Sequence, residues 1–217
     1  MPARLDMYTG IHQGLRANMY ETGLLLSRTN FADEAERGAA IAAVTTSLGF
    51  LDEHVVHEDT FLAPVFKDIS PELADTIGGQ HGGQGRESAE IKATAARLRE
   101  GGGDPLAEGA KLCAQYNHLI ADHMAHMSLE ETKGNAALWA HRTDDQLREV
   151  HAGIQGSMPP ERFAEYLKIM VPNMNYQELT GMLGGIKATA PPPVFEMVSG
   201  LARECLGDRW PAIEAAL

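Results

Sequence analysis

The chain has 217 residues, 44% of them hydrophobic, and a formal net charge of -12, which allows one large domain or one domain with a smaller appendage. The negative charge argues against nucleic acid or an anionic membrane surface as a partner. The N-terminus lacks a signal-peptide pattern, no apolar stretch approaches the roughly 20 residues that span a bilayer, and Cys113 and Cys205 are too far apart for a metal clip. We therefore expect a cytoplasmic protein with reduced thiols.

The first two predicted elements are long helices with apolar residues at helical spacing. The first covers about residues 3–28, and the second covers about residues 33–66, with Pro64 ending or bending its last turn. The side chains of chemical interest on these two helices are His12, His54, His57 and Glu58.

Two further long helices are predicted between proline start signals and glycine stop signals. Ser70 and Pro71 begin the third, which continues to residue 100 before three glycines. Asp104 and Pro105 begin the fourth, which continues to about residue 133, where Gly134 and Asn135 form a stop signal. These helices carry His81, His118, His123, His126 and Glu130.

Four long helices with short loops predict an all-α fold, an antiparallel four-helix bundle over residues 1–140. Shorter helices separated by prolines follow, at about residues 144–155, 159–171, 176–187 and 192–206. We interpret residues 141–217 as a helical C-terminal appendage of unknown role, and as a candidate surface for a protein partner.

Two pairs of residues have the spacing of metal ligands. His54 and Glu58, and likewise His126 and Glu130, are four residues apart, so each pair lies on one helix face. Such a pair can give an imidazole and a carboxylate to one metal, or let the carboxylate bridge two metals. His12 and His81 come from the other two helices. A site of imidazoles and carboxylates without thiolates favours iron or manganese over structural zinc.

The order of His12, HVVHE at 54–58, a lone His81 and HMSLE at 126–130 resembles the hemerythrin-like (HHE cation-binding) domain. The resemblance covers about residues 1–135 and implies a bundle with an oxo- or hydroxo-bridged pair of iron ions. It implies terminal ligands at His12, His54, His81 and His126, and bridging carboxylates at Glu58 and Glu130. Oxygen-carrying hemerythrins have HxxxH on the third helix and HxxxxD on the fourth, whereas this chain has Ile77 before His81 and a glutamate on the fourth helix.

The expected function is that of a di-iron protein that binds or reacts with oxygen, peroxide or nitric oxide, or that senses iron or oxygen. Zinc and manganese remain alternative metals, and a helical interaction module with a structural metal is the alternative function. Whether the protein is an enzyme stays open. Tyr8, Tyr20 and Tyr116 are the candidate hydrogen-bond donors within the four-helix region.

Two features admit more than one interpretation. His57 and His123 lie on or beside the ligand face, either as additional ligands or, as we favour, as donors that hydrogen-bond to the ligands. Five glycines around His81 cost on the order of 4 kcal/mol relative to alanine in a helix. Close approach of a neighbouring helix is the favoured explanation, and room for a small ligand beside the metal is the other.

Overall fold

A computed structural model describes residues 4–217, and all regular secondary structure within this range is helical. The chain up to residue 129 forms α1 (Thr9–Arg28), α2 (Glu34–Phe61), α3 (Ala63–Ile69), α4 (Pro71–Arg99) and α5 (Pro105–Leu129). A π-helical turn (Glu130–Gly134) then leads into α6 (Asn135–His141). The remaining helices are α7 (Asp144–Ser157), α8 (Pro160–Met170), α9 (Tyr176–Thr189), α10 (Pro192–Leu206) and α11 (Trp210–Glu214).

The four longest helices pack side by side. Helix α1 contacts α2 and α5, and α4 contacts the same two helices. Their facing sides are apolar, and the fully buried side chains between them include Leu15, Met19, Val44, Leu48, Leu112 and Leu119. One face of each long helix therefore borders a shared interior.

Helix α2 is more apolar than the sequence analysis anticipated. By length and composition alone it could cross a membrane, since it contains an 18-residue window that is apolar enough. Within that window 44% of the residues are buried, and α2 contacts α1 and α4. The core helix of a protein without a membrane span passes the same test, so this composition is weak evidence for a span.

Two helix boundaries differ from the predicted ones. The predicted start of the first helix, at residue 3, lies outside the described residues, and within the described range α1 begins at Thr9. The carboxylate of Asp6 accepts hydrogen bonds from the backbone N–H groups of Tyr8 and Thr9, at 2.9 and 3.0 Å, just before the helix. The predicted second helix divides at Leu62, because Pro64 fits the first turn of a new helix better than the interior of an old one.

The predicted stop at Gly134 and Asn135 is wrong. Gly134 has helical backbone angles, φ -60° and ψ -58°, and the chain continues through the π turn into α6. The side chain of Asn135 donates to the backbone carbonyl of Glu131 and to the carboxylate of Asp6, at 3.2 and 2.9 Å. These bonds let the residue continue the helix, which the stop signal did not anticipate.

The C-terminal helices pack directly on the long ones. Helix α8 contacts α1, and α7 contacts α2. A second apolar cluster, including Leu167, Leu179, Leu183, Val198 and Trp210, joins α8 to the last helices. The division of the chain near residue 140 stays a prediction.

Candidate metal centre

The structure brings the six predicted ligands together in the shared interior. Each of them is at most 8% exposed, although all are polar or charged. Helix α1 contributes one of them, α2 two, α4 one, and α5 with the π turn two; in chain order they are His12, His54, Glu58, His81, His126 and Glu130.

These residues form two groups of four donors that share both carboxylates. Within each group the donor atoms all lie within 4.8 Å of one another. The first group contains His12, His54, Glu58 and Glu130. The second contains Glu58, His81, His126 and Glu130. An arrangement in which two carboxylates belong to both groups fits two adjacent metal ions bridged by those carboxylates.

In the first group, the short distances between donor atoms all involve Nε2 of a histidine. The Nε2 atoms of His12 and His54 are 3.1 Å apart. His54 Nε2 lies 3.2 Å from Glu58 Oε1, and His12 Nε2 lies 3.5 Å from Glu130 Oε2.

The second group repeats this geometry. The Nε2 atoms of His81 and His126 are 3.1 Å apart. His81 Nε2 lies 3.4 Å from Glu58 Oε2, and His126 Nε2 lies 3.2 Å from Glu130 Oε2. Each carboxylate therefore reaches one histidine of each group.

The π turn explains how two consecutive glutamates serve the same site. It begins at Glu130, whose side chain belongs to both donor groups. The next side chain, Glu131, lies on the Nδ1 side of His12, away from the donor atoms. There Glu131 Oε1 lies 3.1 Å from His12 Nδ1 and 2.7 Å from Arg16 Nη1. Single π turns inside α-helices are rare and frequently occur at functional sites.

Three of the four imidazoles have an oxygen acceptor at Nδ1. These acceptors are Glu131 for His12 at 3.1 Å, Asp59 for His81 at 2.8 Å and Gln80 for His126 at 2.8 Å. A ring that donates its Nδ1 proton and is neutral has a lone pair at Nε2. When His81 and His126 are both neutral, two such lone pairs face each other at 3.1 Å, so the geometry suits a cation bound between them.

The carboxylates also lack the partners that buried groups require. Both oxygens of Glu58 and Oε2 of Glu130 are buried and make no hydrogen bond of acceptable geometry. An unpaired buried carboxylate is costly, and metal coordination is one of the few ways to satisfy it. The residues present therefore fit a pair of metal ions.

Burial and mutual charge shift the pKa values of these groups in opposite directions. Burial lowers the pKa of His54 to about 4 and that of His126 to about 3, so both rings are neutral at pH 7. Burial and the neighbouring Glu58 raise the pKa of Glu130 well above its usual range. Burial alone would also raise the pKa of Glu58, but the surrounding His54 and His12 outweigh it and lower this pKa. The two carboxyl groups therefore differ, with the pKa of Glu58 below and that of Glu130 above the usual range of a glutamate.

The other predicted histidines lie outside both groups. His123 is buried, and its Nδ1 donates to the backbone carbonyl of Leu119 at 3.0 Å. His57 is partly buried, and its ring is tilted by 54° against that of Tyr166, with the ring centroids 6.5 Å apart. The exposed His118 lies on the surface, 3.3 Å from Glu87.

Of the three candidate tyrosines, only Tyr8 lies beside the six ligands. Its buried hydroxyl has no hydrogen-bond partner, and its ring lines a cavity of about 10 Å³ together with Glu58, His81 and Glu130. Tyr20 is exposed, and Tyr116 hydrogen-bonds to Ser47 at 2.6 Å. The sequence had no signal that separated these tyrosines.

The favoured explanation of the glycine run is wrong. A Cβ atom built on Gly78, Gly79 or Gly85 would meet nothing within 4 Å, and on Gly82 or Gly83 it would meet only the guanidinium of Arg86 in the same helix. No neighbouring helix approaches closely there. Gly78 lines the small cavity beside Tyr8, and for the other glycines the structure offers no packing reason.

No protein-family model, curated protein or solved structure matches this chain.

Proposed function

We propose that the chain is a hemerythrin-like protein in which α1, α2, α4 and α5 form a four-helix bundle around two iron ions. Its function would be to bind or react with oxygen, peroxide or nitric oxide, or to sense iron or oxygen through occupancy of the site. The observation that carries this proposal is the pair of four-donor groups sharing Glu58 and Glu130.

Each metal position has an equivalent set of protein ligands in this proposal. His12 and His54 would hold one iron, His81 and His126 the other, and the two glutamates would bridge them. When bound, the iron pair would supply redox chemistry toward a small molecule. Two imidazoles and two shared carboxylates give four donors per position, which leaves coordination positions for small exogenous ligands.

The residues around the centre support such a role by their burial and their protons. The ligands are shielded from bulk water, which strengthens electrostatic interactions inside the site. Burial and the nearby Glu130 raise the pKa of Tyr8 well above its usual value, so its hydroxyl keeps its proton. Tyr8 can therefore donate a hydrogen bond to a molecule in the small cavity. Ile77 lines the same cavity and gives it an apolar side in place of a third-helix histidine.

Elemental analysis with optical spectroscopy tests the proposal. Protein from an iron-supplied culture should contain about two irons per chain, as expected for two positions of mixed imidazole and carboxylate ligands. It should show near-ultraviolet charge-transfer bands that change on reduction and on re-aeration. His81→Ala should lower the iron content and weaken the bands, whereas His141→Ala, at an exposed histidine that belongs to neither group of donors, should change neither. One zinc per chain with a silent spectrum would instead favour a helical module with a structural metal.

A further inference from the structure

A second, larger cavity borders the candidate metal centre on the side of the C-terminal helices. It has a volume of about 100 Å³ and lies between α2, the start of α1, and helices α7 and α8. Its lining is mainly apolar and includes Ile11, Ile154, Met158, Phe163 and Met170. Two of the six ligands, His54 and Glu58, also line it. The C-terminal segment thus forms one side of a space that reaches the ligands.

Close helix contacts hold this cavity in shape. A Cβ atom on Gly14 of α1 would lie 2.9 Å from the backbone oxygen of Ile169 in α8, and one on Gly153 of α7 would lie 3.0 Å from Phe61 of α2. Arg162 of α8 donates to a carboxylate oxygen of Glu53 in α2 at 2.7 Å. The cavity is therefore a fixed product of helix packing, which is the usual condition of small-molecule sites.

His54 differs from the other three imidazole ligands in a way that points to this cavity. Each of the other rings has an oxygen acceptor at Nδ1, whereas no described residue accepts a hydrogen bond from Nδ1 of His54. The His54 side chain is also 10% exposed, against 0 to 3% for the other three. Metal-ligating histidines almost always donate their second ring N–H to an oxygen, and the cavity that His54 lines has room for a molecule that carries one.

We infer that this cavity binds a small, mainly apolar molecule whose carbonyl or carboxylate oxygen accepts the Nδ1–H of His54. A cavity of about 150 Å³ holds benzene, so the space here suits a chain of about four carbons. The inference rests on the proposed function in one respect, since a metal at Nε2 keeps the His54 proton on Nδ1.

Calorimetric titration of the protein as purified tests the inference with four probes: acetate, butyrate, 2-pentanone and butylammonium. Butyrate should bind about tenfold more tightly than acetate, because two additional methylene groups are buried. 2-Pentanone tests whether a neutral carbonyl is enough, and binding by either 2-pentanone or butyrate supports the oxygen acceptor. Butylammonium has the same chain but no acceptor for the Nδ1–H of His54, so it should bind more weakly than butyrate.

Two variants locate the binding within the chain. Ile154→Phe fills the cavity from α7 and should weaken butyrate binding at least tenfold. Ala152→Phe places the same ring at an exposed position of α7 and should change nothing. Phe163→Leu enlarges the cavity and should shift the preference from butyrate toward hexanoate. Because this is a gain of binding, it tests the cavity even if Ile154→Phe fails to fold.

Equal affinities for acetate and butyrate, unaffected by Ile154→Phe, would overturn the inference and indicate direct coordination to the metal. Absence of binding by every probe would overturn it too, leaving water as the acceptor for His54. Metal content measured on the same samples tests the proposed function separately. If the purified protein contains no metal but binds butyrate, and Ile154→Phe weakens that binding, the result supports the cavity site and contradicts the di-iron proposal.

Discussion

The acceptors behind the imidazoles determine how well the ligands are aligned. A carboxylate at Nδ1 fixes both the tautomer and the ring orientation of a metal-binding histidine and raises its basicity. Glu131 does so for His12 from a position that is mostly buried, with 21% of its side chain exposed, whereas Asp59 does so for His81 with 52% exposed. Water can replace the second acceptor more easily than the first.

We therefore expect Glu131→Ala to lower metal affinity by about 10- to 100-fold. Asp59→Ala should have a smaller effect, because water can take the place of its carboxylate. Competition with a chelator of known affinity measures both, and Glu90→Ala at an exposed position of α4 is the control. Equal affinities in all three variants would show that these acceptors do not tune the centre.

The protons held by the metal-free site predict how metal affinity depends on pH. Burial alone would lower the pKa of His12 and His81, but nearby carboxylates raise both values above 6.5. These are Glu131 and Glu58 for His12, and Glu58 and Asp59 for His81. Because the pKa of Glu130 is also raised, its carboxyl gives up a proton to a metal less readily than an ordinary glutamate does. As the pH rises through these raised pKa values, fewer protons compete with the metal.

Metal affinity should accordingly increase as the pH rises from 6 to 8, a range in which His54 and His126 are already neutral. Chelator competition at several pH values, corrected for the protonation of the chelator, measures this. Affinity that is constant over the range, or that increases on acidification, would mean that the ligands hold no protons before binding.

At the residue scale, the sequence indicated the ligands better than their neighbours. The spacing of His54 with Glu58, and of His126 with Glu130, follows from helix geometry alone, because residues four apart share a face. The proximity of Tyr8, Glu131 and Asp59 to the ligands depends on contacts between distant segments and on the π turn. Nothing local in the sequence encodes those contacts.

At the element scale, glycines mark where the C-terminal helices approach the long ones. A methyl group on Gly14 would collide with the backbone of α8, which cannot move aside as the end of a flexible side chain can. Gly14→Ala should therefore destabilise the protein by about 1–3 kcal/mol. Gly38→Ala, at an exposed position of α2 with nothing within 4 Å, should stabilise it by about 0.5–1 kcal/mol.

Urea unfolding followed by circular dichroism measures both variants. Similar effects of the two substitutions would show that α8 does not pack closely on α1. The cavity beside His54 would then lose one of its supports, so this result also bears on ligand binding.

Helix boundaries with local signals were predictable, and those without such signals were not. The predicted start at Asp104 is confirmed, since its side chain accepts a hydrogen bond from Leu106 N–H at 3.3 Å. Gly101, with φ +72°, ends α4 where the glycine run predicted a stop. Gly134 carries the same kind of signal, but tertiary contacts of Asn135 and the π turn override it. Glycine permits a stop without requiring one.

At the scale of the whole molecule, the six candidate ligands come from four helices that are distant in sequence. Their charges and unpaired oxygens make the metal-free interior costly, so a bound metal should contribute directly to folding stability. The apolar contacts between these helices, including Leu48, Leu112 and Leu119, supply a stabilisation that does not depend on metal. We therefore expect a metal-free protein that still folds but is less stable.

Removing the metal with a chelator should lower the Tm, because a ligand that binds only the folded state stabilises that state. The stabilisation increases with the logarithm of the ratio of free ligand concentration to Kd. At a free metal concentration one thousand times Kd, the stabilisation is about 4 kcal/mol, equivalent to roughly 8–16 °C for a chain of this size. Differential scanning calorimetry of the loaded and chelated protein measures the shift, and re-addition of metal should restore it. His126→Ala removes a ligand from one of the two proposed metal positions, so its Tm should respond less to the chelator than that of the wild type. If the chelator does not change the Tm of the wild type, the protein folds around these six buried side chains without a bound cation.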